Sequence, residues 1–167
     1  MGTLRRMVAA IGKTQIEYHK FFPGFADQLA QELGQFLGDP AAVALCPAEG
    51  NFSFDFDYRH EGLGFENGKY LIPVMIRLKN LNDDGDVLIR IKLYFVKGEM
   101  ELQAWIGDEK PVTFERGKPS ALFEAIFEHL TYLLSSSAWF EANPSHYQGT
   151  KMGFGAAMGL TSFSSGA

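Results

Sequence analysis

Residues 52–106 alternate apolar and polar side chains with a period of two, and this pattern constrains the fold more than any other feature of the sequence. In an extended chain, successive side chains point to opposite faces, so each alternating run predicts a strand with one apolar face and one polar face. Four such runs follow one another, at 52–58, 70–78, 89–95 and 100–106. Together with short strands expected near 42–45 or 111–114, they predict a four- to five-stranded antiparallel meander.

Apolar stripes with helical spacing lie on both sides of the alternating region. The first stripe consists of Phe25, Leu29, Leu33, Phe36 and Leu37, and the second of Leu122, Ile126, Leu130 and Leu133. Pro23 suits the first position of a helix and Gly38 suits its end, whereas the second helix is predicted from about Pro119 to Leu134. We therefore expect an α+β fold in which an N-terminal and a C-terminal helix pack on one face of the sheet.

The chain of 167 residues has the size of one ordinary domain. We expect residues 1–22 to form an N-terminal arm or short helix, residues 23–143 a single α+β domain, and residues 144–167 a flexible C-terminal tail. The last part of that tail, 152–167, has no charged residue and is rich in Gly, Ala and Ser. An unstructured tail and a docking segment for a partner or a second copy of the chain are both compatible with this composition.

Three turn dipeptides predict how the strands are aligned. Asn67-Gly68 is a strong hairpin signal, and two-residue loops at Asp84-Gly85 and Lys97-Gly98 are expected to follow it. An extra residue near Gly62–Gly64, a β-bulge, is needed to keep the apolar side chains of residues 52–58 on the core face. Two rows of side chains would then cross the polar face: Asp55, Lys79, Arg90 and Trp105, and Asp57, Arg77, Lys92 and Gln103.

The polar face predicted in this way is the main candidate binding surface. Its candidate residues are Asp55, Asp57, Arg77, Lys79, Arg90, Lys92 and Trp105. Neighbouring like charges on adjacent strands cost a few tenths of a kcal/mol or more, and the two aspartates offset part of this cost. A solvated face that serves solubility and a binding surface for an anionic or acidic partner are the two interpretations left open.

The alternative site is the strand end beside the predicted bulge, where His60 and Glu61 are neighbours. An acid–base role there needs a second group that the fold brings close. On a strand, the side chains of Asp55 and Asp57 would point to the same face and could together bind a metal ion. The basic side chains predicted beside them would, however, compete with the metal for their carboxylates. Cys46 is interpreted as a buried structural residue. We expect no metal and no cofactor, and a non-enzymatic protein is preferred over an enzyme.

Charge and cysteine content limit the classes of partner. The formal net charge of −5 does not favour a nucleic-acid binder, which depends on a basic footprint. A single cysteine fits a reducing compartment, and no apolar run has the length of a membrane span. A cytoplasmic location, no nucleic-acid partner and no membrane partner are therefore expected, and a homo-oligomer is left open.

No residue motif identifies a family. The order of helix, meander and helix is similar to that of ubiquitin-conjugating-like and RWD scaffolds, but the catalytic cysteine of the conjugating enzymes follows the meander whereas Cys46 precedes it. The preferred function is a non-enzymatic protein-interaction module of the adaptor, chaperone or inhibitor type, which uses the polar sheet face or an apolar patch. The alternative is a small-ligand-binding protein or enzyme with its site near Gly62–Gly64.

Overall fold

The computed structural model describes residues 2–53, 58, 62–79 and 86–135, which form two helices and six strands. The elements in chain order are α1 (Gly2–Phe36), β1 (Val43–Leu45), β2 (Gly64–Glu66), β3 (Lys69–Leu78), β4 (Val87–Lys97), β5 (Glu101–Ile106), β6 (Val112–Glu115) and α2 (Ser120–Ser135). The strands form one sheet in the order β1-β3-β4-β5-β6, and β2 also pairs with β3. All of these pairs are antiparallel, which confirms the predicted α+β class.

One face of this sheet forms the main core. The inward side chains of β3 and β4 alternate with outward ones, and Ile72, Val74 and Leu93 have no exposed surface. The same core cluster contains buried side chains of both helices, among them Leu33 of α1 and Leu122 of α2. The period-two pattern of the sequence therefore identified the core face correctly.

The first helix is longer than the sequence predicted. A helix was expected to begin near Pro23, but α1 runs without interruption from Gly2 to Phe36 with Pro23 inside it. A proline within a helix removes one backbone hydrogen bond, and the packing of the residues around it offsets this loss. The predicted end at Gly38 is correct: Gly38 has a φ of 92°, and the amide of Asp39 donates to the carbonyl of Gly34 at 2.9 Å, as in a Schellman motif.

An aromatic cluster fixes α1 on the sheet. Phe22 is fully buried and its ring stacks on that of Tyr70 in β3, with a centroid distance of 4.7 Å. Tyr18 lies one turn earlier, and its hydroxyl accepts a hydrogen bond of 2.8 Å from the amide of Lys97 at the end of β4. The register and tilt of α1 on the sheet are therefore defined by both aromatic packing and a hydrogen bond.

Two short strands share one edge of β3. β1 pairs with its later half, from Val43 opposite Ile76 to Leu45 opposite Val74, and β2 pairs with its first residues. The strand predicted at 52–58 was expected on this edge opposite Ile76, and that pairing is wrong because β1 occupies the place. The described residues between β1 and β2 are 46–53, 58, 62 and 63, and we call them the strap.

The predicted bulge at Gly62–Gly64 coincides with the end of the strap. Gly64 is the first residue of β2, and Gly62 precedes the strand with a φ of 76°. A Cβ atom at Gly62 would lie 3.1 Å from the carbonyl oxygen of Cys46, so the two ends of the strap are in close contact. Residues 54–57 and 59–61, on which the predicted phase correction depends, lie outside the described residues.

The hairpin turns were predicted with mixed success. Asn67-Gly68 is confirmed, since Glu66 pairs with Lys69 and both turn residues have positive φ. The other two registers are wrong by four residues: Ile76 faces Ile89 instead of Leu93, and Phe95 faces Ala104 instead of Met100. A shift of four residues keeps every side chain on its predicted face, because the side-chain period of a strand is two.

Truncation of Phe22 tests the aromatic anchor. We expect Phe22→Ala to lower the free energy of unfolding by about 3–5 kcal/mol, because it leaves a cavity among fully buried rings. Phe127 of α2 is 54% exposed, so Phe127→Ala is the matched control and should cost less than about 1 kcal/mol. Urea unfolding monitored by circular dichroism measures both values, and equal costs would contradict the packing described.

Substitution of Gly62 tests the close contact between the ends of the strap. Gly62→Ala and Gly117→Ala both place a Cβ at positive φ, but Gly117 has no atom within 4 Å of that position. The two variants share a backbone strain of about 1–2 kcal/mol, and Gly62→Ala should cost about 1 kcal/mol more because of the clash with residues 46–48. Denaturant unfolding decides this, and a cost no larger than that of Gly117→Ala would contradict the contact.

Candidate interaction surface

The second face of the sheet contains the predicted polar side chains but in a different arrangement. From one end of β3 to the other, the facing pairs on β3 and β4 are Arg77 with Leu88, Met75 with Arg90, Pro73 with Lys92, and Leu71 with Tyr94. On β5, Trp105 faces Tyr94. Apolar and charged residues are therefore interspersed, and the face is not a continuous polar surface.

The half of this face near β1 is covered by the strap. Cys46, Met75 and Leu88 form a second buried cluster, against which Phe52 packs. Phe52 also stacks on Tyr58, with a ring-centroid distance of 5.3 Å, and the hydroxyl of Tyr58 accepts a hydrogen bond from the amide of Ser53. This part of the predicted polar face is therefore interior.

Two of the candidate cations on β4 interact with the strap. A terminal nitrogen of Arg90 donates a hydrogen bond of 2.6 Å to the carbonyl of Gly50. The ammonium of Lys92 lies 4.0 Å from a carboxylate oxygen of Glu49, which is largely exposed. Arg90 is thus a structural link between the sheet and the strap, whereas the contact of Lys92 is weak because both groups remain in water.

Cys46 lies under the strap beside the guanidinium of Arg90. Burial raises the pKa of the Cys46 thiol from 9.0 to about 12, although the positive charge and hydrogen bonding of Arg90 oppose this effect. Because the pKa is raised in the folded protein, the thiol stabilises the fold below about pH 9, and that contribution is lost as the pH rises toward 12. The neutral thiol is a poor nucleophile, in agreement with the predicted structural role.

The other half of the face, near the Asn67-Gly68 turn, combines the buried Leu71 with side chains that are exposed or only partly buried. We call it the aromatic patch and define it by Glu66, Lys69, Tyr94 and Trp105. The ammonium of Lys69 lies 4.2 Å from the centroid of the Trp105 ring, a cation–π contact. Both Tyr94 and Trp105 are half-buried, so part of each side chain is accessible to solvent.

A hydrogen bond fixes the second aromatic ring of the patch. The hydroxyl of Tyr94 donates to a carboxylate oxygen of Glu66 at 2.6 Å. This hydrogen bond is the largest cause that raises the pKa of Tyr94 to about 12, followed by burial and by the charges of Glu66 and Asp108. Tyr94 therefore stays a neutral hydrogen-bond donor at physiological pH, with its ring held beside Trp105.

The structure separates most of the residues that the sequence placed in two rows. Arg90 does not face Trp105, which faces Tyr94, and Arg77 does not face Lys92. Arg77 Nε lies 4.0 Å from Asp86, and Lys79 follows the end of β3 with an exposed side chain. Asp55, Asp57, His60 and Glu61 lie outside the described residues.

Sequence reasoning missed the contacts of Lys69 and Glu66. A correct register between β3 and β4 would have placed Leu71 beside Tyr94 and Trp105, two residues from Lys69. It also missed the contact of 2.6 Å between Nδ1 of His129 and the carboxylate of Glu109, which joins α2 to the β5–β6 connection. His129 is half-buried.

A cavity of about 320 Å³ lies on the other face of the sheet, between α1, β5 and β6. Phe21, Phe25 and Phe114 supply apolar walls, and the guanidinium of Arg116 lies 4.8 Å from the ring centroid of Phe21. Neither Gly62 nor Gly64 lines this cavity. It is one of the apolar surfaces that the described residues offer; another cavity, of about 420 Å³, is lined by Leu37, Leu78 and residues of α2.

Within the described ranges, no group of three or more His, Cys, Asp or Glu side chains is placed to hold a metal ion. Neither described helix contains a segment with the length and hydropathy needed to cross a bilayer. No protein-family model, curated protein or solved structure matches the chain. The candidate surfaces therefore rest on their own geometry and chemistry.

Alkylation of Cys46 tests whether Arg90 holds the strap over the buried thiol. At pH 8 we expect iodoacetamide to label the native thiol far more slowly than the unfolded chain, because the thiol is buried and protonated. Arg90→Ala should accelerate native labelling about fivefold, since loss of one exposed charge-assisted hydrogen bond costs about 1 kcal/mol of strap closure. Lys92→Ala is the control and should leave the rate within about twofold. Mass spectrometry measures both rates, and an unchanged rate in Arg90→Ala would contradict the role of Arg90.

Proposed function

We propose that this protein is a non-enzymatic interaction module that binds another protein through the aromatic patch. The observation that carries the proposal is the facing pair of Tyr94 and Trp105, whose rings contact Glu66 and Lys69 and are only partly buried. An adaptor, a chaperone and an inhibitor would all use a surface of this kind.

The chemistry of the patch suits protein recognition. Trp and Tyr are over-represented among the residues that dominate binding energy at protein interfaces. Rings that are already held in place lose little conformational entropy on binding, and this favours affinity. Lys69 and Glu66 add a charge of each sign at the margin, where such groups influence specificity and association rate more than affinity.

The partner surface that fits the patch has an apolar centre flanked by hydrogen-bonding groups. The two rings would be covered by aliphatic or aromatic side chains, while an acidic side chain would suit Lys69 and the nearby Lys92. Arg90 and Met75, in contrast, are not part of this binding surface, because the strap covers the half of the face on which they lie. The binding surface is thus narrower than the face that the sequence suggested.

Two other assignments are weaker. The cavity beside Phe21 and Arg116 would serve as an apolar docking groove, and it is the alternative surface for the same function. A small-ligand or enzymatic site near Gly62–Gly64 was the alternative function. Gly62 is instead packed against residues 46–48, and His60 and Glu61 are outside the described ranges. We therefore favour the aromatic patch.

Capture of binding partners from the native host tests the proposal. Trp105→Ala should reduce recovery of the specific partner by about tenfold or more, because truncation of a central aromatic residue at an interface costs about 2 kcal/mol. Tyr132 of α2 is 58% exposed and lies outside the patch, so Tyr132→Ala is the matched control and should recover the partner as wild type does. Quantitative mass spectrometry after crosslinking gives the ratio.

Two further variants separate the surfaces. Lys69→Glu reverses the charge in the aromatic patch, and Arg116→Glu reverses a charge beside the cavity. Loss of capture in Lys69→Glu alone supports the patch, whereas loss in Arg116→Glu alone assigns binding to the cavity. Equal capture by wild type, Trp105→Ala and Lys69→Glu would overturn the proposal, as would the absence of any partner specific to the wild-type chain.

A further inference from the structure

The first half of α1 carries an apolar stripe that the sheet does not cover. We call residues 2–16 the arm. Leu4, Met7, Val8 and Ile11 follow one another at spacings of three, four and seven residues, so they lie on one side of the helix. Their side chains are exposed by between 55% for Met7 and 68% for Val8. Four adjacent exposed apolar side chains on two helical turns form an apolar patch of the kind that marks a binding surface.

The positive charge of the arm favours a negatively charged binding partner. Arg5, Arg6 and Lys13 are its charged residues, and it contains no Asp or Glu. The formal charge of the whole chain is −5 and that of the arm is +3, so the remaining residues sum to −8. Successive residues in a helix are rotated by about 100°, which places Arg6 and Lys13 on the side opposite the stripe. This arrangement is typical of helices that lie in the interface of an anionic membrane.

We propose that the arm binds the surface of a membrane containing anionic lipids, with Leu4, Met7, Val8 and Ile11 inserted at the level of the headgroups. The helix lies parallel to the surface and does not span the bilayer. The sequence-based expectation of no membrane partner rested on the length of apolar runs, which concerns spanning segments only. The proposal is independent of the function assigned to the aromatic patch.

A second copy of the chain fits the stripe less well. The arm contains no acidic residue, so the arm of a second copy offers no negative charge to complement Arg5, Arg6 and Lys13. Four side chains on two turns also cover far less than the roughly 800 Å² per partner that stable dimers bury. A lipid surface supplies compensating negative charge and needs no shaped groove.

The arm is already helical before it binds, because it is continuous with the part of α1 that packs on the sheet. An isolated helix of this length is marginal in water, and Gly12 weakens it further. In this protein, Tyr18 and Phe22 hold the next turns on the sheet, so the costly first turn is already formed. Association with the membrane therefore costs little additional ordering of the backbone.

Vesicle sedimentation with the full chain tests the proposal. We expect at least about tenfold stronger partitioning onto phosphatidylcholine vesicles that contain phosphatidylglycerol than onto vesicles without it, because each basic residue near an anionic surface contributes about 1 kcal/mol. Arg5→Gln combined with Arg6→Gln should remove most of this difference. Failure of the wild-type chain to bind anionic vesicles, or equal binding to both kinds, would overturn the proposal.

The arm offers a matched pair of apolar residues for the second measurement. Ile11 and Ile16 are 58% and 57% exposed, but Ile16 is five residues further along the helix and lies off the stripe. Ile11→Ser should weaken binding to anionic vesicles about tenfold, since an inserted isoleucine is lost. Ile16→Ser should change it less than about twofold. Equal effects of the two substitutions would overturn the orientation and with it the proposal.

An environment-sensitive fluorophore identifies other occupants of the stripe. Cys46 is buried, so Val8→Cys can be labelled selectively under native conditions. A blue shift that requires anionic vesicles supports the proposal. A shift without vesicles that grows with protein concentration would assign the stripe to a second copy, and a concentration-independent shift would assign it to another segment of the same chain. Either of these results would overturn membrane binding.

Discussion

The pairing of β3 with β4 is the constraint on which the rest of the structure depends. Nine facing residue pairs, from Tyr70–Phe95 to Leu78–Val87, join the two longest strands, and every other strand attaches to one of them directly or through β5. One face of this pair is apolar along its whole length, and its side chains belong to the core cluster that also contains buried residues of both helices. The other face mixes apolar and charged residues, and its apolar residues Met75 and Leu88 are buried with Cys46 and Phe52 of the strap.

For β3, β4 and β5 the sequence predicted which face each residue would occupy, but not which residue it would face, and Phe52, expected on the core face, packs against Met75 and Leu88 on the second face. Alternation with a period of two is satisfied equally by registers that differ by two or four residues. Only turn geometry distinguishes them, and the Asp-Gly and Lys-Gly dipeptides were poor guides: the paired residues end at Leu78 and Val87, and the second turn lies at Glu99 and Met100. Asn67-Gly68 succeeded because positive φ at both positions specifies one turn type.

The candidate site was harder to predict because it depends on register and on competition for a strand edge. Residues 52–58 alternate as a strand does, but the edge of β3 that they require is already paired with Val43–Leu45. The alternation of apolar and polar residues within one segment does not show which of two segments pairs with a strand edge. Because the observed register differs by four residues from the predicted one, Arg90 lies away from Trp105 and donates a hydrogen bond to Gly50. Lys69, instead of Arg90, lies over the Trp105 ring.

The exposed arm follows from the difference in length between α1 and the surface that covers it. With a rise of about 1.5 Å per residue, the 35 residues of α1 extend about 52 Å, whereas the buried stretch from Tyr18 to Leu33 extends only about 23 Å. The apolar spacing continues from Tyr18 back to Leu4. One amphipathic pattern therefore serves the core at one end of the helix and remains exposed at the other. An apolar stripe that adds nothing to the described core costs solubility without adding stability, and the membrane binding that we propose for the arm would account for it.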